Sequence, residues 1–379
     1  MNTKAWVSLL TLVAVFRALD AEPAQAQQKR TQHRGNPEAV AKVRAGRLTE
    51  AKASWWGFDS EDATDTLQAA LDSGVKRLIV ENMGRPWIVR PLRVPSNIEI
   101  VFEKGAVVEA KRGEFKGGND SLFHIILQEN VALIGYGAIL RMHRSDYDRP
   151  PYAKAEWRHV LNIKSSRNVK IYGLTLAESG GDGIYLGTAR RGVTNKNIHI
   201  KDVVCDRNYR QGISVITAED LLIEDTVMKN TAGTPPAAGI DFEPNHATEK
   251  LVRCVMRRCV AEDNAGVGYA FYLPNLTGAS EPISIRLEKC VARGSNRSAF
   301  AFTLARANSD GPARGLAEFI DCTFADGRGP AVTIRSSQRL SSALRALPIR
   351  AASAERPSDA HNSVFDASQR KRRPGERLV

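Results

Sequence analysis

The chain has 379 residues, an apolar content of 42% and a formal net charge of +12, with a pI near 9.6. The charge predicts attraction to polyanions: acidic polysaccharide, nucleic acid or an anionic membrane surface. Part of the positive charge lies in the tails, so the net charge does not distinguish among these partners. No stretch beyond residue 16 is apolar enough for a transmembrane helix, which excludes a protein that spans the membrane repeatedly.

The first 26 residues have the pattern of a secretory signal peptide. Lys4 precedes an apolar run at 5–16, and Ala24-Gln25-Ala26 is a small-x-small cleavage site. The run is too short for a membrane span, which needs about 20 residues. We therefore predict export to the periplasm or the medium, with no membrane anchor after cleavage. Residues 27–54 are polar and basic and are interpreted as a linker.

A short helix and a series of strands follow the predicted linker. Leu67, Ala70 and Leu71 share one helical face, which predicts a helix from about 63 to 73 that stops before Gly74. Short strands come next, at 77–80, 87–89, 98–102 and 107–109. Stacked strands leave unpaired edges at the first rung, so we expect this helix to cap that end.

An aromatic-rich excursion at 141–157 interrupts the strands. It holds Tyr147, Tyr152, Glu156 and Trp157. Two interpretations stay open: the excursion is a wall of a binding cleft, or it is an ordinary surface loop folded onto itself.

From residue 183 a small–apolar–polar–apolar quartet recurs. The second residues of the quartets are 29, 27, 31, 31 and 30 positions apart: Ile184, Ile213, Ile240, Phe271, Phe302 and Val332. A second strand per turn keeps the same phase, from 168–171 to 317–320. A near-constant period of this length indicates a solenoid. We predict an all-β, right-handed parallel β-helix over 55–337, followed by a basic, disordered tail at 338–379.

The five cysteines fit the same repeat. Aligning the second strands places Cys259, Cys290 and Cys322 at one position of successive turns. Thiols that point inward and pack as small apolar groups explain this column without disulfides. Zinc binding is the functional alternative, but no Cys-x-x-Cys pair is present, and no metal ligand is assigned. A Cys254–Cys259 bridge is geometrically conceivable but nothing requires it.

One rung, at 238–245, breaks the local rules of a strand. Its sequence, Ala-Gly-Ile-Asp-Phe-Glu-Pro-Asn, places Asp241 and Glu243 on the face opposite Ile240. Strands disfavour Asp, Asn and Pro, and a rule broken on one rung of a regular repeat indicates a functional site. The alternative is that these acids simply face solvent.

Stacking the rungs predicts one polar array with this rung near its middle. The predicted catalytic residues are Asp182, Arg210, Asp241 and Glu243, and the predicted substrate-binding residues are Tyr185, Tyr209, Gln211, Ser214, Asn245 and Tyr272. Tyr269 is also expected in the array. If Asp182 lies two rungs from Asp241, their separation is roughly 9.6 Å. Inverting glycosidases hold their two carboxyl groups about 6.5–9.5 Å apart, so hydrolysis is compatible. We assign Asp241 or Glu243 as the base, Asp182 as the acid and Arg210 as the group that binds an anionic substituent.

Several stretches resemble the pectin-lyase-like superfamily, and in particular its polygalacturonase-type hydrolases. They are Gly57–Gly74, Val94–Ile98 and Glu129–Ile139, and the likeness covers roughly 55–335. Gly180-Gly181-Asp182 resembles the Gly-Asp-Asp motif of polygalacturonases, with one aspartate instead of two. Gln211 stands where those enzymes have the histidine of a His-Gly motif, and no Arg-Ile-Lys motif follows. These departures argue against a polygalacturonase itself.

A second resemblance is to the mannuronan C5-epimerases. Asn208–Gly212 is similar to their Asp-Arg-His-Gly turn, and Gly239–Glu243 is faintly similar to their Asp-Pro-His-Glu motif, without its histidine and in a different chain order. The resemblances imply a β-helix that acts on carbohydrate and leave the branch of the superfamily open.

The leading hypothesis is an exported enzyme that cleaves an acidic polysaccharide by hydrolysis or β-elimination. The alternatives are a polyuronate C5-epimerase and a non-catalytic glycan-binding or cell-surface protein. For elimination or epimerisation, Arg210 would neutralise a sugar carboxylate and Tyr185, Tyr209 or Tyr272 would relay a proton. The sequence identifies no cofactor, and the acidic groups make Ca²⁺ a candidate. We expect a monomer that binds polysaccharide and no nucleic acid.

Overall fold

The computed structural model describes residues 30–303, 310–311, 313–325 and 327–335, and the backbone of 350–352. The predicted signal peptide, 1–26, lies outside the described residues. Most of the predicted tail does too, except that Arg350–Ala352 forms a strand paired with Thr323–Ala325, so the tail is not structureless throughout.

Each turn of the chain adds one strand to each of three parallel sheets. Sheet I consists of Glu50–Lys52, Arg77–Val80, Ile98–Phe102, Glu129–Ile134, Arg167–Tyr172, Asn195–Lys201, Ala218–Glu224, Leu251–Arg257, Ile283–Glu288 and Gly315–Ile320. Sheet II consists of Trp87–Val89, Val107–Ala110, Ile139–Arg141, Thr175–Ala177, Val204–Asp206, Val227–Lys229, Val260–Glu262, Val291–Arg293, Thr323–Ala325 and Arg350–Ala352. Sheet III consists of Leu92–Arg93, Phe123–Ile126, Leu161–Lys164, Asp182–Gly187, Gln211–Val215, Ala238–Phe242, Val267–Tyr272, Ser298–Thr303 and Val332–Arg335.

The strands enclose one apolar core because alternate side chains point inward. Ile184, Ile213 and Ile240 are in register on neighbouring strands of sheet III and are buried. Lower in the stack, the rings of Phe242 and Phe271 lie parallel, with centroids 4.9 Å apart. Single rungs this short could not bury a face alone, whereas their stack does. The predicted parallel β-helix is confirmed.

An asparagine ladder marks the turn that enters sheet I. Asn97, Asn130, Asn168 and Asn197 all adopt positive φ, between 54° and 61°, which asparagine tolerates better than most residues. Each amide donates to the preceding one, at N···O distances of 2.8, 2.9 and 2.8 Å. The ladder therefore satisfies the polar groups of four successive turns with one repeated side chain.

The segment predicted as a linker is instead partly ordered, so that prediction is wrong for its described part. Helix α1 spans Pro37–Arg44, and the Asn36 side chain accepts a hydrogen bond from Ala39 N–H at 3.0 Å. The strand Glu50–Lys52 pairs with Arg77–Ile79 and begins sheet I. The polar composition concealed a narrow apolar stripe, Ala39, Val40 and Val43, which is buried.

The remaining N-terminal elements are short. Gln32–His33 pairs antiparallel with Phe58–Asp59, and 3₁₀ turns span Ala53–Trp56 and Arg144–Asp146. Helix α2, Thr64–Leu71, buries Leu67, Ala70 and Leu71. Its role as a cap stays a prediction. Neither α-helix of the described chain has the length and apolar content needed to cross a bilayer.

The cysteine column lies where the repeat predicts it. Val260 pairs with Val291 and Val291 with Thr323, so the preceding residues, Cys259, Cys290 and Cys322, stack on one another. All five cysteines are buried and unpaired, which excludes a Cys254–Cys259 bridge in this structure.

We expect the native protein to be nearly inert to a thiol reagent. Burial raises the pKa of Cys205 and of Cys254 well above the ordinary thiol value, and the thiolate is the reactive form. Titration with a chromogenic disulfide should detect little reaction in buffer and five equivalents in denaturant. Rapid labelling of the folded protein, or fewer than five thiols after unfolding without reductant, would contradict the buried column.

Candidate functional site

A column of outward-facing residues runs along sheet III. Strand register places its members directly beside one another, in the order Arg93, His124, Asn162, Tyr185, Ser214, Asp241, Ala270 and Ala301. Neighbouring members are about 4.8 Å apart, the spacing of paired strands. We call this set the sheet III column. Asp182, Gln211 and Glu243 lie beside it at the strand ends.

The register below Asp241 differs from the predicted one. Ile240 pairs with Tyr269, and it is Phe242 that pairs with Phe271. A shift of two residues keeps every side chain on its own face, so the apolar pattern could not detect it. Tyr269 is two residues from Phe271 and shares its inward face in either register. It is buried and donates its O–H to Cys259 C=O at 2.8 Å, so its expected place in the polar array is wrong. Tyr272 follows Phe271 as Glu243 follows Phe242, and is 45% exposed.

Asp182 presents a buried carboxyl group with no hydrogen-bond donor. Neither carboxyl oxygen has a partner among the described residues. Its backbone N–H donates to His159 Nδ1 at 3.1 Å, and its Oδ2 lies 3.3 Å from that nitrogen. Because Nδ1 already accepts a hydrogen bond, it has no proton to offer the carboxyl group. Asp182 pairs in register with Gln211, which pairs with Ala238, so it lies offset along the strands from Asp241. The predicted direct alignment of the two carboxyl groups is therefore wrong.

Asp241 is the second buried carboxyl group. Gln211 Nε2 donates to its Oδ2 at 3.4 Å, while its Oδ1 has no partner among the described residues. Gln211 is itself fixed, because its Oε1 accepts from Ala238 N–H at 3.0 Å. Burial raises the pKa of Asp241 to about 8, and the neighbouring Glu243 adds to the shift. Asp241 therefore holds a proton at neutral pH. Ser214, its register neighbour, is buried with an unpartnered hydroxyl group.

Arg210 bridges two acidic side chains above this floor. Its Nη2 lies 2.8 Å from Glu243 Oε2, and its Nε lies 3.4 Å from Glu156 Oε1. Burial alone would lower the pKa of Arg210, but Asp182 and Glu243 raise it well above its ordinary value. Glu243 and Glu156 thus already offset the positive charge of Arg210, although its buried Nε donates no hydrogen bond, so the predicted role of binding an anionic substituent is less favoured.

The excursion at 141–157 combines the two interpretations that its sequence left open. Tyr147 packs edge-on against Tyr152, and a Cβ on Gly180 would lie 2.5 Å from the Tyr147 ring, so part of the loop folds onto the body. Glu156, from the same loop, reaches Arg210 and forms part of the site wall.

Tyr185 lies between the acidic floor and the rungs above it. Its ring stacks on His159, with centroids 4.5 Å apart and planes 6° apart. A Cβ on Gly187 would lie 2.0 Å from Tyr185 Cε1, so only glycine leaves room for this ring position. Burial raises the pKa of Tyr185 well above that of a free phenol, and Asp182 adds to the shift. The hydroxyl group is therefore a proton donor and not a ready base.

The remaining predicted residues lie at the margin. Tyr209 is half-buried, and burial together with a hydrogen bond to Asp148 raises its pKa. Asn245 is exposed, and its backbone N–H donates to Glu249. Glu249 also accepts from Thr188 Oγ1 at 2.8 Å, so it organises the turn after Asp241.

Ca²⁺ binding stays a prediction from the sequence. Among the described residues, no group of three or more His, Cys, Asp or Glu side chains is arranged to hold a metal ion.

Comparisons with known proteins give one partial sequence relative and clear structural neighbours. No protein-family model matches the chain. The SPbeta prophage-derived uncharacterized protein YorA of Bacillus subtilis strain 168 is 28% identical over 178 residues, which are 43% of this chain and 29% of YorA. The matched segment thus spans less than a third of that relative.

Two solved structures are similar over most of the chain. The polygalacturonase of Erwinia carotovora ssp. carotovora superposes with a TM-score of 0.51 at 11% identity, covering 73% of this chain and 77% of that one. The tailspike of Escherichia coli bacteriophage HK620, solved with a pentasaccharide, superposes with a TM-score of 0.50 at 12% identity, covering 75% and 48%. The chain shares the parallel β-helix fold of these two proteins.

Within this parallel β-helix, sequence reasoning assigned no role to three residues near the floor, namely His159, Asn162 and Lys164. Aligning the strand Leu161–Lys164 with Asp182–Gly187 would have placed Asn162 beside Tyr185. The irregular excursion just before that strand hid this alignment.

Proposed function

We propose that the protein is an exported carbohydrate-active enzyme that hydrolyses a glycosidic bond of an acidic polysaccharide at the Asp182–Asp241 floor. One observation carries the proposal: two buried carboxyl groups beside the sheet III column have oxygens without hydrogen-bond partners. Such groups cost free energy in a fold and are retained where they act on a ligand. The similar folds of a polygalacturonase and of a tailspike solved with a pentasaccharide support a polysaccharide substrate.

In this mechanism the two carboxyl groups exchange the roles expected from sequence. Asp241, whose raised pKa keeps it protonated, serves as the general acid that donates to the glycosidic oxygen. Asp182 serves as the base that activates water or as the group that stabilises positive charge on the sugar. Gln211 positions Asp241, and Arg210 binds Glu243, whose negative charge raises the pKa of Asp241 while the positive charge of Arg210 lowers it.

Hydrolysis is favoured over elimination and epimerisation. Both of the latter need a base for the C5 proton and a cation on the adjacent sugar carboxylate. Asp241 and Tyr185 hold their protons, and Arg210 already faces the carboxyl groups of Glu156 and Glu243. Export rests on the N-terminal sequence pattern, and we propose a monomer that needs no Ca²⁺.

A panel of polysaccharides tests this function. The mature protein is incubated with polyuronates, sulfated glycans and neutral glycans, with EDTA as one arm. We expect new reducing ends without the ultraviolet absorbance of an unsaturated uronate, unchanged by EDTA. Absorbance would indicate elimination, inverted C5 configuration without shortening would indicate epimerisation, and retention on a glycan column without turnover would indicate a binding protein. Each of these results would overturn hydrolysis.

A further inference from the structure

A half-buried lysine lies beside the sheet III column, on the N-terminal side of the acidic floor. Lys164 ends the strand Leu161–Lys164, and its Nζ lies 5.3 Å from the centre of the Tyr185 ring. No carboxylate of the described chain forms an ion pair with it, and burial lowers its pKa. Half-buried ammonium groups are normally paired, so a lysine left free beside an aromatic ring is unusual.

Hydrogen-bond geometry adds a second free donor next to this lysine. Ser121 N–H donates to His124 Nε2 at 3.4 Å, so the proton of the neutral ring sits on Nδ1. Nδ1 lies 3.3 Å from the amide of Asn162, which must therefore present its oxygen to the ring. The Asn162 NH₂ group then takes the other position, which is buried and has no partner. Burial, Lys164 and His159 all lower the pKa of His124, in keeping with a neutral ring.

The charge distribution divides the column into two regions. At the floor, Asp182, Glu156 and Glu243 face the single guanidinium group of Arg210, so a further anion is disfavoured there. Around Asn162, positively charged side chains without a partner outnumber negatively charged ones in the described chain. Lys164 is free, and Arg93, which pairs in register with His124, has no ion-pair partner among the described residues. Asp120, the carboxylate nearest His124, accepts from Gly117 N–H at 2.6 Å.

We infer that Lys164 and Asn162 form a subsite for an anionic substituent of the substrate, either a carboxylate or a sulfate ester. The sugar that carries this substituent binds on the N-terminal side of the cleaved bond along the sheet III column. Asn162 lies three rungs from Asp241, about 14 Å along the column. The negative charge of the substrate is therefore bound at a distance from the reacting bond. Lys164, and not Arg210, then binds the anionic substituent. This inference rests on the proposed function, because it assumes that the column binds a glycan.

Binding measured in an inactive background tests the subsite. In the Asp182→Asn protein, affinity electrophoresis compares a carboxylated, a sulfated and a neutral glycan. Lys164→Met keeps the aliphatic stem and should weaken binding of the preferred anionic glycan about 10- to 100-fold, the usual effect of losing a charge-assisted contact. Binding of the neutral glycan should not change. Asn162→Asp, which places a negative charge in the same position, should weaken anion binding at least as much.

Matched variants separate this role from a structural one. Lys170→Met removes an exposed lysine on sheet I and should leave all affinities unchanged, while Lys164→Arg should retain most of the anion binding. The subsite would be overturned if Lys164→Met bound the anionic glycan as tightly as the protein with Lys164 does. It would also be overturned if the variant lost the same affinity for the neutral and the anionic glycan. If Lys164→Met fails to fold, the other two variants test the subsite: Asn162→Asp should weaken binding of the anionic glycan, and Lys164→Arg should retain most of it. If the protein binds glycan and Lys164→Met binds it equally well, the subsite is refuted but the proposed function is not. If no variant binds any glycan, the proposed function is refuted as well.

Discussion

Asp182→Asn is expected to lower hydrolytic activity by about 10²- to 10⁴-fold, the usual contribution of a positioned acid or base. The same change should leave the melting temperature nearly unchanged, because the lost attraction between Asp182 and Arg210 opposes the lower cost of burying a neutral side chain. Asp182 is buried and its carboxyl oxygens accept no hydrogen bond, so a neutral amide of nearly equal volume is less costly to bury. A residue whose replacement inactivates without destabilising is retained for chemistry.

Asp206→Asn is the matched control for this variant. Asp206 lies on sheet II and pairs with the half-exposed Arg207 at 3.0 Å, a kind of pair that contributes at most about 1 kcal/mol. Its Oδ1 also accepts from Asn230 Nδ2 at 2.8 Å, and an asparagine at this position keeps an oxygen for that contact. We expect full activity and nearly unchanged melting. If Asp182→Asn melts well below wild type while Asp206→Asn does not, the carboxyl group stabilises the fold and the catalytic assignment fails.

Asp241→Asn should lower activity to a similar extent, and it should also change how stability depends on pH. The pKa of Asp241 is raised to about 8 in the folded protein, while an unfolded aspartate titrates near about 3.9. The folded state therefore binds the proton more tightly than the unfolded state. The resulting stabilisation is fully present below about pH 4 and is lost as pH rises towards about 8. Its upper bound is about 6 kcal/mol, at 1.36 kcal/mol for each unit of pKa difference.

Thermal unfolding of both proteins from pH 4 to pH 9 measures this loss. Wild type should lose stability relative to Asp241→Asn throughout that window, and Asp206→Asn should parallel wild type. Hydrolysis by wild type should fall above about pH 8, where Asp241 loses its proton. Parallel melting curves for wild type and Asp241→Asn would show that the folded pKa is not raised, and would remove Asp241 as the general acid.

The sequence was sufficient to predict what the repeat controls. A near-constant period predicts parallel rungs, and rungs in phase bring Asp182, Arg210, Asp241 and Glu243 to one sheet. The cysteine column followed from the same alignment, because Cys259, Cys290 and Cys322 hold one position in successive turns.

What the sequence could not predict depends on register and burial. A two-residue slip keeps the side-chain faces, so the apolar pattern could not reveal the pairing of Ile240 with Tyr269. Tyr269 was wrongly expected at the site, although it shares the inward face of Phe271 in either register. In the proposed mechanism Asp241 and Asp182 exchange the roles of acid and base, because the pKa of Asp241 depends on burial, which the sequence does not give. Lys164 and Asn162 follow an irregular loop that interrupts the period, and α1 has too narrow an apolar stripe to stand out in a basic segment.

The asparagine ladder has a consequence for how such a protein can grow. Each of Asn97, Asn130, Asn168 and Asn197 lies at the same place in its turn, and each bond in the ladder joins the amide nitrogen of one to the amide oxygen of the one before. Each turn of the ladder therefore presents to the next turn the same amide acceptor that the turn before presented to it. A duplicated coil inserted within this ladder would find its partners already in place, and would lengthen the sheet III column by about 4.8 Å. Gene duplication could thus extend the groove by whole steps, without the design of a new core.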